Sequence, residues 1–147
     1  MIKFEMMMDC HVGAVAQLEK LCFQDPWSET SVRSEVTNPL SLWLVALDED
    51  RLVGYVGSQS VMGEADMMNL AVDPDYRCRG IGSSLVNGLV SALKARDVSS
   101  LTLEVRASNE KAIRLYLAHG FTQVGRRPNY YRNPKEDALI LRKEWLL

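Results

Sequence analysis

Arg77-Cys-Arg-Gly-Ile-Gly82 places two guanidinium groups and two residues without a Cβ inside six positions, directly ahead of an amphipathic stretch. That combination suits anion binding. Ile81, Leu85, Leu89 and Leu93 recur four apart with Val86 and Val90 beside them, so the spacing predicts a core-facing helix beginning near Gly80. N–H groups in the first turn of a helix lack intrahelical acceptors, and the macrodipole adds about half a positive charge there. A phosphate can then be held largely by main chain, with Gly80 and Gly82 allowing close approach and Arg77 and Arg79 adding charge. The same residues could equally be a plain turn into a scaffold helix. No Lys-Ser or Lys-Thr follows the second glycine and no G-x-G-x-x-G occurs, which excludes a P-loop and a Rossmann turn.

A carboxylate and a phenol further along could move protons. Ser100–Arg106 alternates cleanly, with Leu101, Leu103 and Val105 on one face and Thr102, Glu104 and Arg106 on the other, so Glu104 stands near the C-terminal end of a strand. By spacing alone it is a solvent-facing strand glutamate. Tyr116 lies one turn from Ala112 and Ile113 on a short helix, where spacing alone makes it a core residue whose hydroxyl must still end beside something polar.

The elements that would position these groups follow from local pattern. Ile2 to Met6 alternates as a short strand, with Met6-Met7-Met8 at the edge of a core. Asp9 offers a cap for a first helix through Val12, Val15, Leu18 and Cys22, ending near Phe23. Gln24-Asp25-Pro26-Trp27 is a loop, and Ser28 caps a second helix that runs to about Val36 and stops at Asn38-Pro39. Trp27 either plugs the core between the two helices or forms a wall for a substrate. Residues 41–47, 51–61 and about 65–72 are strands, the first two joined by the Asp48-Glu49-Asp50 turn. After the long helix and the strand at 100–106, a helix from Glu110 to Ala118 is capped by Ser108 or Asn109 and ends at Gly120. Phe121–Gly125 and Ala138–Leu141 close the fold. This order predicts an α/β architecture, a mixed sheet flanked by helices, with a right-handed crossover wherever its strands are parallel.

Composition bounds the function class. The chain has 147 residues, 47% hydrophobic and 24% charged, which suits one globular domain spanning residues 1–147. A formal net charge of -2 and the lack of a long basic run argue against a nucleic-acid footprint. Cys10, Cys22 and Cys78 are odd in number and form no C-x-x-C, so neither a disulfide framework nor a zinc site is indicated, and no other metal-ligand set stands out. Charges interrupt the N-terminus too early for a secretory signal, and no apolar run is long enough for a membrane span. A cytoplasmic protein acting without membrane or direct nucleic-acid contact is the expectation.

Arg77-x-x-Gly80-x-Gly82 after a strand resembles the pyrophosphate loop of the GNAT N-acetyltransferases, which bind acetyl coenzyme A (acetyl-CoA). The resemblance sharpens at Leu103-Glu-Val-Arg-Ala-Ser-Asn-Glu-Lys-Ala-Ile-Arg-Leu-Tyr116, at Gly120-Phe121, and at Arg126-Arg-Pro-Asn-Tyr-Tyr-Arg132 with Glu136-Asp137-Ala138. These blocks are similar to the RimI type, the ribosomal-protein alanine N-acetyltransferases, over essentially the whole stretch from Phe23 to Leu141. The resemblance implies a mostly antiparallel sheet in which one parallel strand pair splays apart to admit the pantetheine arm. It implies that Leu70, Ala71 and Val72 lie along that arm, and that Arg77, Cys78, Arg79, Gly80, Ile81, Gly82 and Ser83 enclose the pyrophosphate. Asn109 and Tyr116 also contact the cosubstrate in this reading.

For the reaction, the resemblance implies that Glu104 is the general base, direct or through water, and Tyr116 the acid that protonates the leaving thiolate. An α-amine with a pKa of about 7.7–8.0 must lose a proton before attack, and a phenol near 10 still holds its own, so both roles are chemically sound. Backbone N–H groups near Ala71 and Val72 could stabilise the oxyanion. Direct transfer needs no enzyme nucleophile and no metal. Tyr130 and Tyr131 would help Trp27 enclose the N-terminus of a protein, by resemblance a ribosomal protein, although cross-strand packing explains them equally well. One departure is Cys78, where the family commonly has a basic residue; the exchange keeps the backbone N–H and removes a phosphate-facing charge. Acetylation of lysine side chains or a small amine, and non-catalytic acyl-CoA binding, remain as alternatives.

Overall fold

The computed structural model describes residues 1–146. Seven strands form one sheet: β1 (Ile2–Met6), β2 (Ser41–Asp48), β3 (Arg51–Val61), β4 (Glu64–Val72), β5 (Ser100–Arg106), β6 (Thr122–Tyr131) and β7 (Glu136–Glu144). The helices are α1 (Val12–Cys22), α2 (Glu29–Thr37), α3 (Ile81–Ala95) and α4 (Glu110–Ala118). Strand order is β1-β2-β3-β4-β5-β7-β6, and every neighbouring pair is antiparallel except β4–β5.

Both faces of the sheet are covered, and β2 shows how. Leu42, Leu44 and Ala46 join the core built on α3 and Tyr116 of α4, whereas Trp43, Val45 and Leu47 join the core built on α1 and α2. The period-2 alternation of a strand divides one apolar run between two layers. Leu85, Leu89 and Leu93 of α3 are fully buried, each contributing about 2 kcal/mol of hydrophobic stabilisation.

The pair that departs from the antiparallel pattern opens the molecule. β4 and β5 are paired only at Glu64↔Ser100, Ala65↔Leu101 and Asp66↔Thr102. Beyond Asp66 the two strands separate, β4 remaining on β3 and β5 on β7. A bulge assists the parting: Asn69 faces Gly57 and Met67 faces Ser58, leaving Met68 as an extra residue in β4.

Several local expectations need correction. Asp9 does not cap α1; it opens a short 3-10 turn over Asp9–His11 and ion-pairs with Arg33 at 2.7 Å, while α1 has no side-chain cap. Within Met6-Met7-Met8 only Met7 is buried. The closing strands are longer than their alternation suggested, so Tyr130 and Tyr131 are the end of β6 rather than part of an intervening loop.

Candidate active site

The N-terminus of α3 is built to receive a group from outside the chain. Gly80 is its N-cap at φ +78, a conformation that only glycine adopts without strain, and no side chain satisfies the first turn. By contrast, Ser28 caps α2 through Ser31 N–H and Asn109 caps α4 through Ala112 N–H. A Cβ at Gly80 would meet nothing within 4 Å, and one at Gly82 would meet only Leu115 and Val72 at ordinary contact distances. The protein's own packing therefore leaves this turn open. The residues present fit a pyrophosphate: an uncapped helix start, two glycines, and cations from Arg77 and Arg79.

Those arginines are partly engaged. Arg77 donates from Nε to the Val72 carbonyl at 3.2 Å and from Nη2 to the Cys22 sulfur at 3.7 Å. Arg79 bonds the Asp75 carbonyl at 3.2 Å and lies over the Tyr76 ring at 4.8 Å. Cys78 is exposed at φ +63, and Lys111 Nζ of α4 stands 3.9 Å from its sulfur. Ser83 is held by His119 Nε2 at 2.9 Å.

Along β4, Asp73 N–H donates to Val53 at 2.8 Å, which sets the phase of the ladder. Ala71, opposite Tyr55, therefore spends its polar groups on β3, while Leu70 and Val72 turn theirs toward the gap beside β5. Of the three backbone positions expected along a pantetheine arm, Leu70 and Val72 are the ones free to pair with it. The Val72 carbonyl already accepts from Arg77.

Glu104 and Tyr116 reach this gap from opposite faces. Leu103 and Val105 pack into the α3–α4 core that includes Tyr116, so Glu104 projects to the other side of β5. Its carboxylate is about 30% exposed and lies 3.5 Å from Arg127 Nε. The Tyr116 ring is buried edge-on against Phe121, and its hydroxyl approaches the Met67 sulfur at 3.7 Å, just past the last β4–β5 pair. Burial, and next the neighbouring Tyr131, raise the Tyr116 pKa far above that of a free phenol. Tyr131 feels the same surroundings; burial first, then the Glu104 carboxylate, push its pKa up to about 12. The Glu104 carboxylate likewise raises the pKa of the more exposed Tyr130. The fork thus gathers a carboxylate and three phenols that stay protonated at neutral pH.

Residues 12–121 match the acetyltransferase (GNAT) family model. The chain belongs to that family. It is 41% identical over 131 residues to the [ribosomal protein bS18]-alanine N-acetyltransferase of Salmonella typhimurium and 37% identical over 131 residues to that of Escherichia coli, covering 87% of both chains in each case. The solved ribosomal-protein-S18-alanine N-acetyltransferase of Escherichia coli superposes with a TM-score of 0.92 at 33% identity, covering 100% of this chain and 96% of that one. Arabidopsis thaliana NAA60, solved in complex with acetyl-CoA, shares the fold with a TM-score of 0.89 at 21% identity over 98% of both chains. The molecule is an acetyl-CoA-dependent acetyltransferase. Among the described residues, no group of three or more His, Cys, Asp or Glu side chains could hold a metal ion, and no helix is long and apolar enough to cross a membrane.

Several residues that shape the acetyltransferase site escaped sequence reasoning. Glu19 of α1 is fully buried, accepting Trp27 N–H at 2.8 Å and the Asn69 amide at 2.6 Å, and burial raises its pKa. It ties the α1–α2 loop to the bulged part of β4. Its spacing offered a signal: seven residues after Val12 and four after Val15, it falls on the apolar stripe of α1. Trp27 itself is half-buried and meets Trp43 edge-on at 5.4 Å, so one side packs in the core. Arg106 bonds the Arg132 and Pro134 carbonyls at 3.0 and 2.9 Å and lies over Tyr131 at 4.4 Å. With Glu136, which takes Ser108 N–H at 2.6 Å, and Asp137, which takes Asn129 N–H at 2.8 Å, it fixes the β6–β7 end that carries both tyrosines. No local pattern announces that role.

Proposed function

We propose that this acetyltransferase modifies the α-amine of a protein N-terminus, with N-terminal alanine of ribosomal protein bS18 as its substrate. The observation carrying this reading is the convergence of Glu104, Tyr131 and Tyr116 on the β4–β5 fork, in a chain 41% identical to an enzyme named for that substrate. Acetyl-CoA supplies an activated acetyl thioester. Glu104 takes the proton that an α-ammonium must lose, directly or through one water. N–H groups of Leu70 and Val72 face the charge that develops on the acetyl oxygen, preoriented by the sheet. Tyr116 gives a proton to the departing sulfur as the N–C bond forms and the C–S bond breaks. Its present partner, a thioether, is a weak acceptor that a thiolate would outcompete. Tyr130, Tyr131 and the open side of Trp27 border the amine's approach.

The test is a peptide panel with acetyl-CoA, the peptides differing only in first residue or in a blocked α-amine. Alanine-initiated peptides should be acetylated at the α-amine and blocked ones left unmodified. Equal turnover of a blocked, lysine-containing peptide would overturn the reading in favour of side-chain acetylation.

A further inference from the structure

We propose that Lys111 on α4 is a cosubstrate-binding residue, supplying to the pyrophosphate a charged contact in addition to those of the loop's partly engaged arginines. The proposal rests on the reading of the α3 N-terminus as the pyrophosphate site. Arg77 and Arg79 lie in the loop, with part of their donor capacity spent on the Val72 carbonyl, the Cys22 sulfur and the Asp75 carbonyl. Position 78, between them, carries an exposed thiol. Lys111 Nζ rests 3.9 Å from that thiol, so an ammonium from a different element stands beside the loop at position 78.

Lys111 has no better reason to be there. Among the described residues it makes no ion pair, and the Cys78 sulfur is its hydrogen-bond partner. It is the second residue of α4, where the macrodipole disfavours a cation, so it does not serve its own helix. Asn109 already caps that helix, leaving the Lys111 ammonium, with its three donors, available to an anion held at the adjacent turn. Gly80 and Gly82 keep the space in front of the turn clear.

Calorimetric binding of coenzyme A and of dephospho-coenzyme A, each over a range of salt concentrations, tests this. Lys111→Gln should weaken both ligands about tenfold, the loss of one charge-assisted contact, and flatten the salt dependence. Cys78→Arg added to Lys111→Gln should restore most of the affinity, which no purely structural role for Lys111 would explain. Gly82→Asp, checked for folding by circular dichroism, reports on the turn itself. Undiminished affinity in Lys111→Gln alongside lost binding in Gly82→Asp would overturn the role of Lys111 and keep the turn as the phosphate site. Unchanged binding in both variants would remove the site. Weakening confined to coenzyme A would assign Lys111 to the 3′-phosphate and overturn the proposal as stated.

Discussion

The two sides of the acetyltransferase site are made from different materials. On the cosubstrate side, an uncapped helix start at Gly80 and the free backbone edges of Leu70 and Val72 present main chain, and the side chains around them vary in how they are used. On the side proposed to move protons, the groups are side chains that arrive from β5, α4 and β6. A main-chain site should tolerate exchange at its side-chain positions, and Cys78, with Lys111 beside it, is the place to test that. Side-chain sites tolerate very little, because each functional atom is unique.

The largest test of that contrast is removal of a functional atom from the catalytic side. Tyr116→Phe should lower kcat by roughly 10²- to 10⁴-fold with little change in coenzyme A affinity, measured by steady-state kinetics and calorimetry. Thermal stability should shift only modestly, since among the described residues the hydroxyl's partner is the Met67 sulfur, a weak acceptor. The raised pKa keeps this phenol protonated past its ordinary value, so the wild-type rate should show no alkaline decline from Tyr116 below pH about 10. An activity loss that tracks unfolding would return Tyr116 to the core. Glu104→Gln should cost about 10²-fold in kcat, partly recovered as rising pH deprotonates the amine in solution. An unaltered rate and pH profile would take Glu104 out of the mechanism.

Support for the site should give smaller effects, read as stability. Glu19→Ala orphans the Trp27 N–H and the Asn69 amide, so unfolding free energy should fall by about 3 kcal/mol in urea titration. Glu19→Gln should retain most of it, because the Asn69 amide can turn to accept. At the opposite margin, the Ser108 side chain and backbone hold Glu136 below the usual carboxylate range, and Asn129 N–H does the same for Asp137. A depressed carboxylate stabilises above its unfolded pKa, about 4, and the stabilisation is lost as pH falls through the folded value. Amide protection at 129–137, taken relative to intrinsic exchange at each pH, should therefore persist to about pH 4 and fall only at more acid pH. The smallest change is expected at Cys78→Ser, which leaves the main chain and Lys111 in place. Coenzyme A affinity should stay within about twofold.

The same contrast explains what could be read in advance. The pyrophosphate turn is local: a strand, two glycines and an apolar stripe with a four-residue repeat lie within about twenty consecutive residues, and the structure places the α3 cap at Gly80. β6 was undersized because bulges at Gln123/Gly125 and Arg127/Tyr131 interrupt its alternation, and as an exposed edge strand it carries Pro128 and Asn129, which imitate a turn. Asp9 looked like a cap because its type and spacing were right, but Arg33, brought near by the α1–α2 packing, takes its carboxylate instead.

The sequence by itself determined the order of strands and helices and the apolar stripe of α3, since these depend on residue type and on spacings of two to four, while Glu104 and Tyr116 stood out only through the family resemblance of the blocks that carry them. Tertiary structure alone decided where β4 and β5 part, which backbone edges face the gap, and which distant partners Arg106, Glu19 and Lys111 meet. Those contacts join residues 26 to 50 apart in the chain. Such pairings are set by the packing of whole layers, which no local pattern encodes.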